Sequence, residues 1–172
     1  MMIEILWLGR GGQGAFTAAK LLGAAYATKA ECHSLAFPSF GPERRGAPVR
    51  AFTKLDSSQI LDRSETEKAD YIVILDETLY SDSLLSLLKE GGKVIINAKH
   101  SDNANIIAFD GDSLAKSLKL PVVNTVMMGA LSGISGIVTV EEMQTAIENY
   151  MPVKIHEKNQ NAVRQAVQEV QA

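Results

Sequence analysis

Short apolar runs alternate with longer stretches of helical periodicity along this chain, and that alternation predicts its architecture. Six runs have the length and the branched or aromatic content of strands: residues 3–8, 31–36, 49–53, 71–75, 93–97 and 106–109. Helical spacing appears over residues 15–29, 81–89, 113–119, 124–137 and 156–170, with a further helix starting at Thr139. This order predicts an α/β fold: a single domain over 1–172 with a mostly parallel, doubly wound, Rossmann-like sheet and helices on both faces.

A glycine-rich turn follows the first predicted strand and opens the first predicted helix. Gly9, Gly11 and Gly14 have the spacing G-x-G-x-x-G, and Gly12 adds a fourth glycine. This spacing is typical of a tight turn that lets a ligand backbone approach closely. The free N–H groups and the positive dipole end of the helix starting at Ala15 favour an anion there. A tight turn that binds nothing is the alternative.

Two further details bear on what this turn binds. Gln13 lies within it, and its amide can both donate and accept hydrogen bonds, which suits a polar ligand, a partner chain or solvent. A nicotinamide-binding fold places an acidic residue at the end of the second strand, about 20 residues beyond the glycines, to hold the ribose. Here that strand ends without an acid, and Glu31 lies at its start. The dinucleotide interpretation therefore lacks its best discriminator.

The segment between the second and third strands is the other candidate site. Residues 37–48 hold three of the five prolines of the chain. Arg44 and Arg45 on such a stiff loop would lose little entropy on gripping a phosphate or carboxylate, with Glu43 placed to orient one guanidinium. A doubly wound sheet puts this loop at the carboxyl ends of its strands, where ligands bind. A solvated surface turn is the alternative.

Acidic residues also follow the strand at 71–75. Asp76 and Glu77 come directly after it and precede Thr78. A carboxylate at the end of a parallel strand is compatible with a catalytic role and equally with capping of the following turn. The sequence leaves both interpretations open.

Composition excludes several classes of function. Seventeen basic and twenty acidic residues give a formal net charge of -3 without any basic run, so a nucleic-acid surface is not expected. The apolar runs are shorter than the roughly 20 residues of a membrane span, and the absence of a secretory signal predicts a cytoplasmic protein. Cys32 is the single cysteine, and the three histidines lack metal-ligand spacing. Any iron–sulfur centre is therefore expected in another polypeptide.

Thiamine diphosphate is not expected on this chain either. Chains that bind it carry Gly-Asp-Gly and, about 25 to 30 residues later, Asn-Asn, which together hold the magnesium ion of the diphosphate. Here Gly111 and Asp112 are followed by Ser113, and Asn124 comes too early and is unpaired.

Taken together, these motifs resemble the gamma subunit of the pyruvate:ferredoxin oxidoreductase family, the 2-oxoacid:acceptor oxidoreductases. The resemblance spans nearly the whole chain and rests first on the turn at 9–14 combined with residues 40–49, Phe-Gly-Pro-Glu-Arg-Arg-Gly-Ala-Pro-Val. Weaker matches are Ala69-Asp70, Asn124-Thr125, Gly129-Ala130 and Lys158-Asn159.

The resemblance implies oxidative decarboxylation of a 2-oxoacid, with pyruvate the first choice, to an acyl-CoA, with electrons passed to ferredoxin or flavodoxin. It implies that thiamine diphosphate, magnesium and the iron–sulfur clusters belong to sister alpha, beta and delta chains, and that this chain holds none of them. It also assigns this chain a docking role near coenzyme A. The implied cofactor-facing residues are Gly9, Gly11, Gly12, Gln13, Gly14, Arg44 and Arg45.

Two other functions remain compatible with the sequence. One is a stand-alone NAD(P)- or nucleotide-binding protein that uses the same turn. The other is an interaction domain whose glycine turn packs against a partner and holds no ligand. Cofactor titration separates the first from the subunit interpretation, and coenzyme A kinetics of turn variants separate the second.

Overall fold

The computed structural model describes residues 1–39 and 44–172. Six strands form one sheet in the order β2-β3-β1-β4-β5-β6. The strands are β1 (Ile3–Arg10), β2 (His33–Pro38), β3 (Pro48–Asp56), β4 (Ala69–Ile74), β5 (Leu88–Asn97) and β6 (Ile106–Phe109). β1, β4, β5 and β6 pair in parallel, whereas β3 runs antiparallel to both β1 and β2. The predicted α/β class with a mostly parallel sheet is confirmed.

Strand β1 lies in the interior of the sheet, between β3 and β4, and its side chains are apolar towards both faces. Residues 5–8 are each at most 6% exposed, as expected for a strand that is covered on both sides. Trp7 Nε1 donates a hydrogen bond to Thr53 Oγ1 at 3.0 Å, and that hydroxyl donates to the Ala19 carbonyl at 3.0 Å. These two bonds connect β1 through β3 to the helix that follows the glycine turn.

The two faces of the sheet are covered differently. The α-helices are α1 (Ala15–Tyr26), α2 (Gly111–Ser117), α3 (Asn124–Ser135), α4 (Val140–Tyr150) and α5 (His156–Gln171). All five contribute to one hydrophobic cluster together with Ile5 and Trp7. The opposite cluster, around Leu6 and Leu8, is covered by the 3-10 helices at Glu77–Leu79 and Asp82–Leu87. The helices expected on both faces are therefore α-helical on one and 3-10 on the other.

The predicted α-helix at residues 81–89 is wrong. A 3-10 helix ends at Leu87, and β5 begins at Leu88, which pairs with Ala69. The leucine spacing reflects burial of Leu84 under the sheet rather than an α-helical stripe. The glycines at 91–92, expected to end a helix, instead lie within β5, next to a register irregularity between β4 and β5. The predicted strand at 49–53 is likewise too short, since β3 continues through Lys54 to Asp56.

The predictions for the C-terminal helices agree with the structure. Thr139 forms a capping box with Glu142, which starts α4 as expected. A Cβ on Gly129 would lie 2.9 Å from the Cα of Val163, so this glycine allows the close contact between α3 and α5. Within residues 1–39 and 44–172, no helix is both long and apolar enough to cross a membrane.

Candidate functional site

Three chain segments meet at the carboxyl edge of the sheet, where the parallel strands end. They are the glycine turn (residues 9–14) after β1, the arginine loop (residues 44–47) before β3, and residues 76–78 after β4. The sequence predicted each of these segments as a candidate on its own. The structure brings all three together, as expected for side chains that follow neighbouring parallel strands.

The glycine turn and the arginine loop are joined by backbone hydrogen bonds. Gly11 N donates to the Ala47 carbonyl at 2.8 Å, and Gly46 N donates to the Gly11 carbonyl at 3.1 Å. A Cβ on Gly11 would lie 2.3 Å from the carbonyl oxygen of Arg44, a distance that no side chain tolerates. The close backbone approach predicted by the glycine spacing is therefore made, at Gly11, by a loop of the same chain.

Gly14 serves both the turn and the start of α1. Its φ of 80° is left-handed, a conformation that costs L-residues free energy and glycine almost none. A Cβ there would lie 2.5 Å from Asn124 Nδ2, and the Asn124 amide donates to the Gly14 carbonyl at 3.3 Å. Gly14 therefore allows the start of α3 to pack directly against the start of α1.

The amide of Gln13 stabilises the turn itself. Gln13 Oε1 accepts a hydrogen bond from the Arg10 backbone N–H at 2.6 Å, while Gln13 N donates to the Arg10 carbonyl at 3.0 Å. These reciprocal bonds fix the turn between β1 and α1. Gly9 packs under them, since a Cβ there would lie 3.4 Å from Gln13 Oε1 and 3.2 Å from Leu75.

The arginine loop exposes its cations. Arg44 and Arg45 are solvent-exposed, and so is Arg50 a few residues along β3. Within the described part of the chain, no carboxylate pairs with these three guanidinium groups. Glu43, expected to orient one of them, lies outside the described residues, as do 40–42.

Arg10, which the sequence did not single out as a site residue, has a central position at this edge. Its Nε bonds Asp76 Oδ2 at 3.2 Å, its Nη1 donates to the Gly46 carbonyl at 3.1 Å, and its Nη2 donates to Thr78 Oγ1 at 2.9 Å. One side chain thus contacts both of the other segments at this edge. The sequence feature that could have drawn attention to Arg10 is its position between Gly9 and Gly11, since the turn itself does not need a large cationic side chain.

The structure resolves the two interpretations of Asp76 in favour of capping combined with an ion pair. Asp76 Oδ1 accepts from the backbone N–H and the hydroxyl of Thr78 at 3.0 and 2.6 Å. The Thr78 hydroxyl and, more weakly, the Arg10 guanidinium hold the pKa of Asp76 below its usual value despite partial burial. Asp76 is therefore a carboxylate whose two oxygens are both engaged, which suits a structural role better than that of a base.

Two clefts open at this edge, and Arg10 and Arg50 line both of them. A cleft of about 270 Å³ lies at the start of α1 and includes Gly12, Phe16 and Thr17 among its lining residues. A larger cleft of about 670 Å³ lies towards the 3-10 helices. Free N–H groups at a helix start and nearby unpaired arginines together favour an anionic ligand.

Two of the weaker sequence motifs, Asn124-Thr125 and Lys158-Asn159, lie in the helices α3 and α5, whereas Ala69-Asp70 starts β4 at the opposite end of the sheet. Thr125 Oγ1 donates to Asn159 Oδ1 at 2.7 Å, and Asn159 donates to the Ile155 carbonyl at 2.9 Å. The buried Thr125–Asn159 bond joins α3 to α5, and Asn124 donates to the Gly14 carbonyl, so these residues support the scaffold of the turn. Among the described residues, no group of three or more His, Cys, Asp or Glu side chains is arranged to hold a metal ion.

The end of β2 bears on the dinucleotide interpretation. β2 ends at Pro38. The hydroxyl of the next residue, Ser39, donates to Oε1 of Glu65, which lies in the segment between β3 and β4, at 2.6 Å. The strand itself contributes no carboxylate there. This agrees with the weakness of the dinucleotide interpretation.

Comparison with known proteins gives consistent matches over the whole chain. Residues 4–169 match the family model described as pyruvate ferredoxin/flavodoxin oxidoreductase. Pyruvate synthase subunit PorC of Methanothermobacter marburgensis is 44% identical over 98% of this chain and 98% of its own length. The pyruvate/ketoisovalerate oxidoreductases common subunit gamma of Pyrococcus abyssi is 37% identical over 99% and 98%.

A solved structure has the same fold. The crystal structure of pyruvate oxidoreductase subunit PORC from Thermotoga maritima superposes with a TM-score of 0.82 at 32% identity, covering 97% of this chain and 96% of that one. The fold therefore extends over the whole of both chains.

Proposed function

Because this chain belongs to the pyruvate ferredoxin/flavodoxin oxidoreductase family, we propose that it works as the gamma subunit of a complex that oxidatively decarboxylates a 2-oxoacid. The product is an acyl-CoA, and the electrons pass to ferredoxin or flavodoxin in the cytoplasm. The resemblance drawn from the sequence motifs is confirmed by the family match and by the relatives that cover nearly the full chain.

The observation that carries a specific role is the joined surface at the carboxyl edge. There the glycine turn and the arginine loop are joined by backbone hydrogen bonds, and Arg44 and Arg45 remain exposed on the loop. Arginine matches the geometry of phosphate oxygens, and a preorganised loop loses little entropy on binding. We assign the phosphates of coenzyme A, as they approach the complex, to the exposed Gly12, Arg44 and Arg45 of this surface. Gly9, Gly11, Gln13 and Gly14 shape the turn that supports them.

Iron–sulfur clusters and thiamine diphosphate do not fit the residues of this chain. A four-cysteine cluster needs four thiolates, and Cys32 is the only cysteine. Asp112, in the nearest approach to a thiamine motif, is occupied by hydrogen bonds with Asn97. We therefore place thiamine diphosphate, its magnesium ion and the iron–sulfur clusters in the alpha, beta and delta subunits.

The choice of 2-oxoacid is also assigned to those partners. The relative from Pyrococcus abyssi is by name common to a pyruvate and a ketoisovalerate oxidoreductase. A gamma chain shared by two oxoacid enzymes cannot carry the discrimination between them. Pyruvate remains the first substrate to test, since several relatives are named pyruvate synthase subunits.

The first experiment tests the assembly. The tagged full-length chain is recovered from its native cells under anaerobic conditions, and dye reduction dependent on pyruvate and coenzyme A is measured. Co-purification of thiamine- and cluster-bearing chains with that activity supports the proposal. Recovery of the chain alone, without activity but with saturable NAD(P) binding, would contradict it and return the stand-alone alternative.

The second experiment tests the arginine loop. In the assembled complex, the double substitution Arg44→Gln and Arg45→Gln should raise the KM for coenzyme A about tenfold or more, because two charge-assisted contacts to phosphate are lost. Arg164→Gln, at an exposed position on α5, is the matched control and should stay within about twofold. Unchanged kinetics in a fully assembled double variant would support a purely structural interaction domain instead.

A further inference from the structure

Arg10 connects the three segments of the carboxyl edge through a single guanidinium. Its backbone belongs to the glycine turn, and its Nη1 donates to the Gly46 carbonyl in the arginine loop. Its Nε and Nη2 donate to Asp76 and Thr78 after β4. The planar fork of arginine has fixed donor directions, so these partners are constrained together.

The partners of Arg10 are themselves preorganised. Thr78 Oγ1 donates to Asp76 Oδ1 at 2.6 Å while it accepts from Arg10 Nη2 at 2.9 Å. Asp76 uses its second oxygen for Arg10 Nε at 3.2 Å. The three side chains therefore close a ring of hydrogen bonds in which each polar group has a defined donor or acceptor role.

The ring is attached to the loop at the point where the loop meets the turn. Gly46, whose carbonyl Arg10 holds, also donates its N–H to Gly11. Arg45 lies against the turn, with its Cγ 3.9 Å from the position of a Cβ on Gly12. Holding Gly46 from both sides therefore fixes the backbone from which Arg44 and Arg45 project.

We infer that Arg10, Asp76 and Thr78 form a clamp that positions the arginine loop for coenzyme A, with Asp76 and Thr78 acting only through Arg10. Asp76 and Thr78 are positioning residues, since neither is needed to contact the coenzyme. This inference rests on the proposed function of Arg44 and Arg45, because the position of the loop matters for catalysis only if those arginines meet the phosphates.

The test uses matched substitutions in the assembled complex. Asp76→Asn removes the charge, Thr78→Val removes the hydroxyl at constant shape, and Thr78→Ser restores the hydroxyl. Asp70→Asn is the control, because Asp70 lies on β4, the strand that leads to Asp76, and also pairs with a cation, Lys89 at 2.8 Å, but at the opposite end of the sheet. Two readouts are taken: hydrogen exchange of the peptide that covers residues 44–50, and the KM and kcat for coenzyme A.

Asp76→Asn and Thr78→Val are expected to speed exchange of that peptide and raise the KM for coenzyme A about three- to tenfold, with a smaller change in kcat. Thr78→Ser and Asp70→Asn should remain within about twofold of wild type in both readouts. This pattern supports the clamp, since a general loss of stability would also affect the Asp70 variant.

Three outcomes separate failure of the clamp from failure of the proposed function. Unchanged exchange in Asp76→Asn and Thr78→Val overturns the clamp whatever the kinetics are. Faster exchange with an unchanged KM also overturns it, provided that the Arg44 and Arg45 double variant does raise the KM. If that double variant leaves the KM unchanged, the coenzyme role of the arginines fails, and faster exchange then supports only the mechanical half of the inference.

Discussion

The two ends of the sheet differ in how their charges are paired. At the amino ends of the parallel strands, two lysines form ion pairs with three carboxylates. At the carboxyl ends of the described strands, four arginines lie close together in the sequence or the fold, and only one of them pairs with a carboxylate of the described residues. Lys54 is fully buried, and its ammonium lies 2.9 Å from Asp62 and 3.6 Å from Glu4. Lys89 lies 3.2 Å from Glu4 and 2.8 Å from Asp70. Partial burial works to lower the pKa of Lys89, but its hydrogen bonds to Asp70 and Glu4 outweigh that and raise it.

The carboxyl edge is arranged the other way. Arg10 pairs with Asp76, and Arg44, Arg45 and Arg50 stay exposed without an ion pair to the described residues. Buried charges need partners, because an unpaired one is costly to desolvate. Unpaired surface cations are tolerated by solvent and remain available to an incoming anion. We therefore expect the amino ends to contribute mainly to stability and the carboxyl ends to be available for binding.

The largest expected effect is on the amino side. Lys54→Ala removes a buried side chain and leaves the Glu4 carboxylate with Lys89 as its remaining cation, so the free energy of unfolding should fall by about 3 kcal/mol. Urea unfolding of the full-length chain measures it. Lys116→Ala, at an exposed position on α2, should change stability by less than about 0.5 kcal/mol. A loss below about 1 kcal/mol for Lys54→Ala would contradict a stabilising role for the amino-end cluster.

A smaller effect is expected where the turn meets the arginine loop. Gly11→Ala places a Cβ 2.3 Å from the Arg44 carbonyl oxygen, so the loop must move. Stability should fall by about 2 kcal/mol, and the KM for coenzyme A should rise about tenfold. Gly91→Ala at the amino edge is the control: its φ of 77° is strained for alanine, but nothing lies within 4 Å of the new Cβ.

Comparing Gly11→Ala with Gly91→Ala therefore separates the backbone strain of the substitution from displacement of the arginine loop. Gly91→Ala should cost about 1 kcal/mol through its backbone alone and leave the KM unchanged. Equal KM values for the two variants, measured in assembled complexes, would show that the contact between the turn and the loop is not used for coenzyme binding.

The same contrast explains how much of the fold the sequence could predict. The strand at 106–109 and the helix start at Thr139 are local patterns, and both predictions are confirmed. The glycine turn was recognisable because its signal lies within six residues. The helix expected at 81–89 failed, because burial of Leu84 against the sheet and pairing of Leu88 with β4 are tertiary effects that imitate helical spacing.

Much of the candidate site could not be read from the sequence for a related reason. Arg10 and Asp76 are 66 positions apart, and only the parallel pairing of β1 with β4 brings them into contact. Lys54 lies outside the predicted strand at 49–53, and lysine is depleted in strands. Its burial depends on Asp62 and Glu4, which no local pattern connects to it.

The smallest expected effect is a pH dependence at the carboxyl edge. The pKa of Asp76 is lowered in the folded chain, chiefly by the Thr78 hydroxyl and also by Arg10. A lowered folded pKa adds stability above the unfolded value of about 3.9, and this stability is lost as pH falls through the folded pKa. Asparagine cannot titrate, so Asp76→Asn lacks this contribution at every pH.

The free energy of unfolding should therefore be higher for wild type than for Asp76→Asn by about 0.5 to 1 kcal/mol between pH 5 and 7, the lower end reflecting partial exposure of the pair. The difference should shrink below about pH 4, as the wild-type carboxylate becomes protonated. Urea unfolding of both full-length chains at several pH values measures it. If the difference in free energy of unfolding stayed constant at low pH, Asp76 would act through its shape and not through its charge. The electrostatic contrast between the two ends of the sheet would then rest on the unpaired arginines alone.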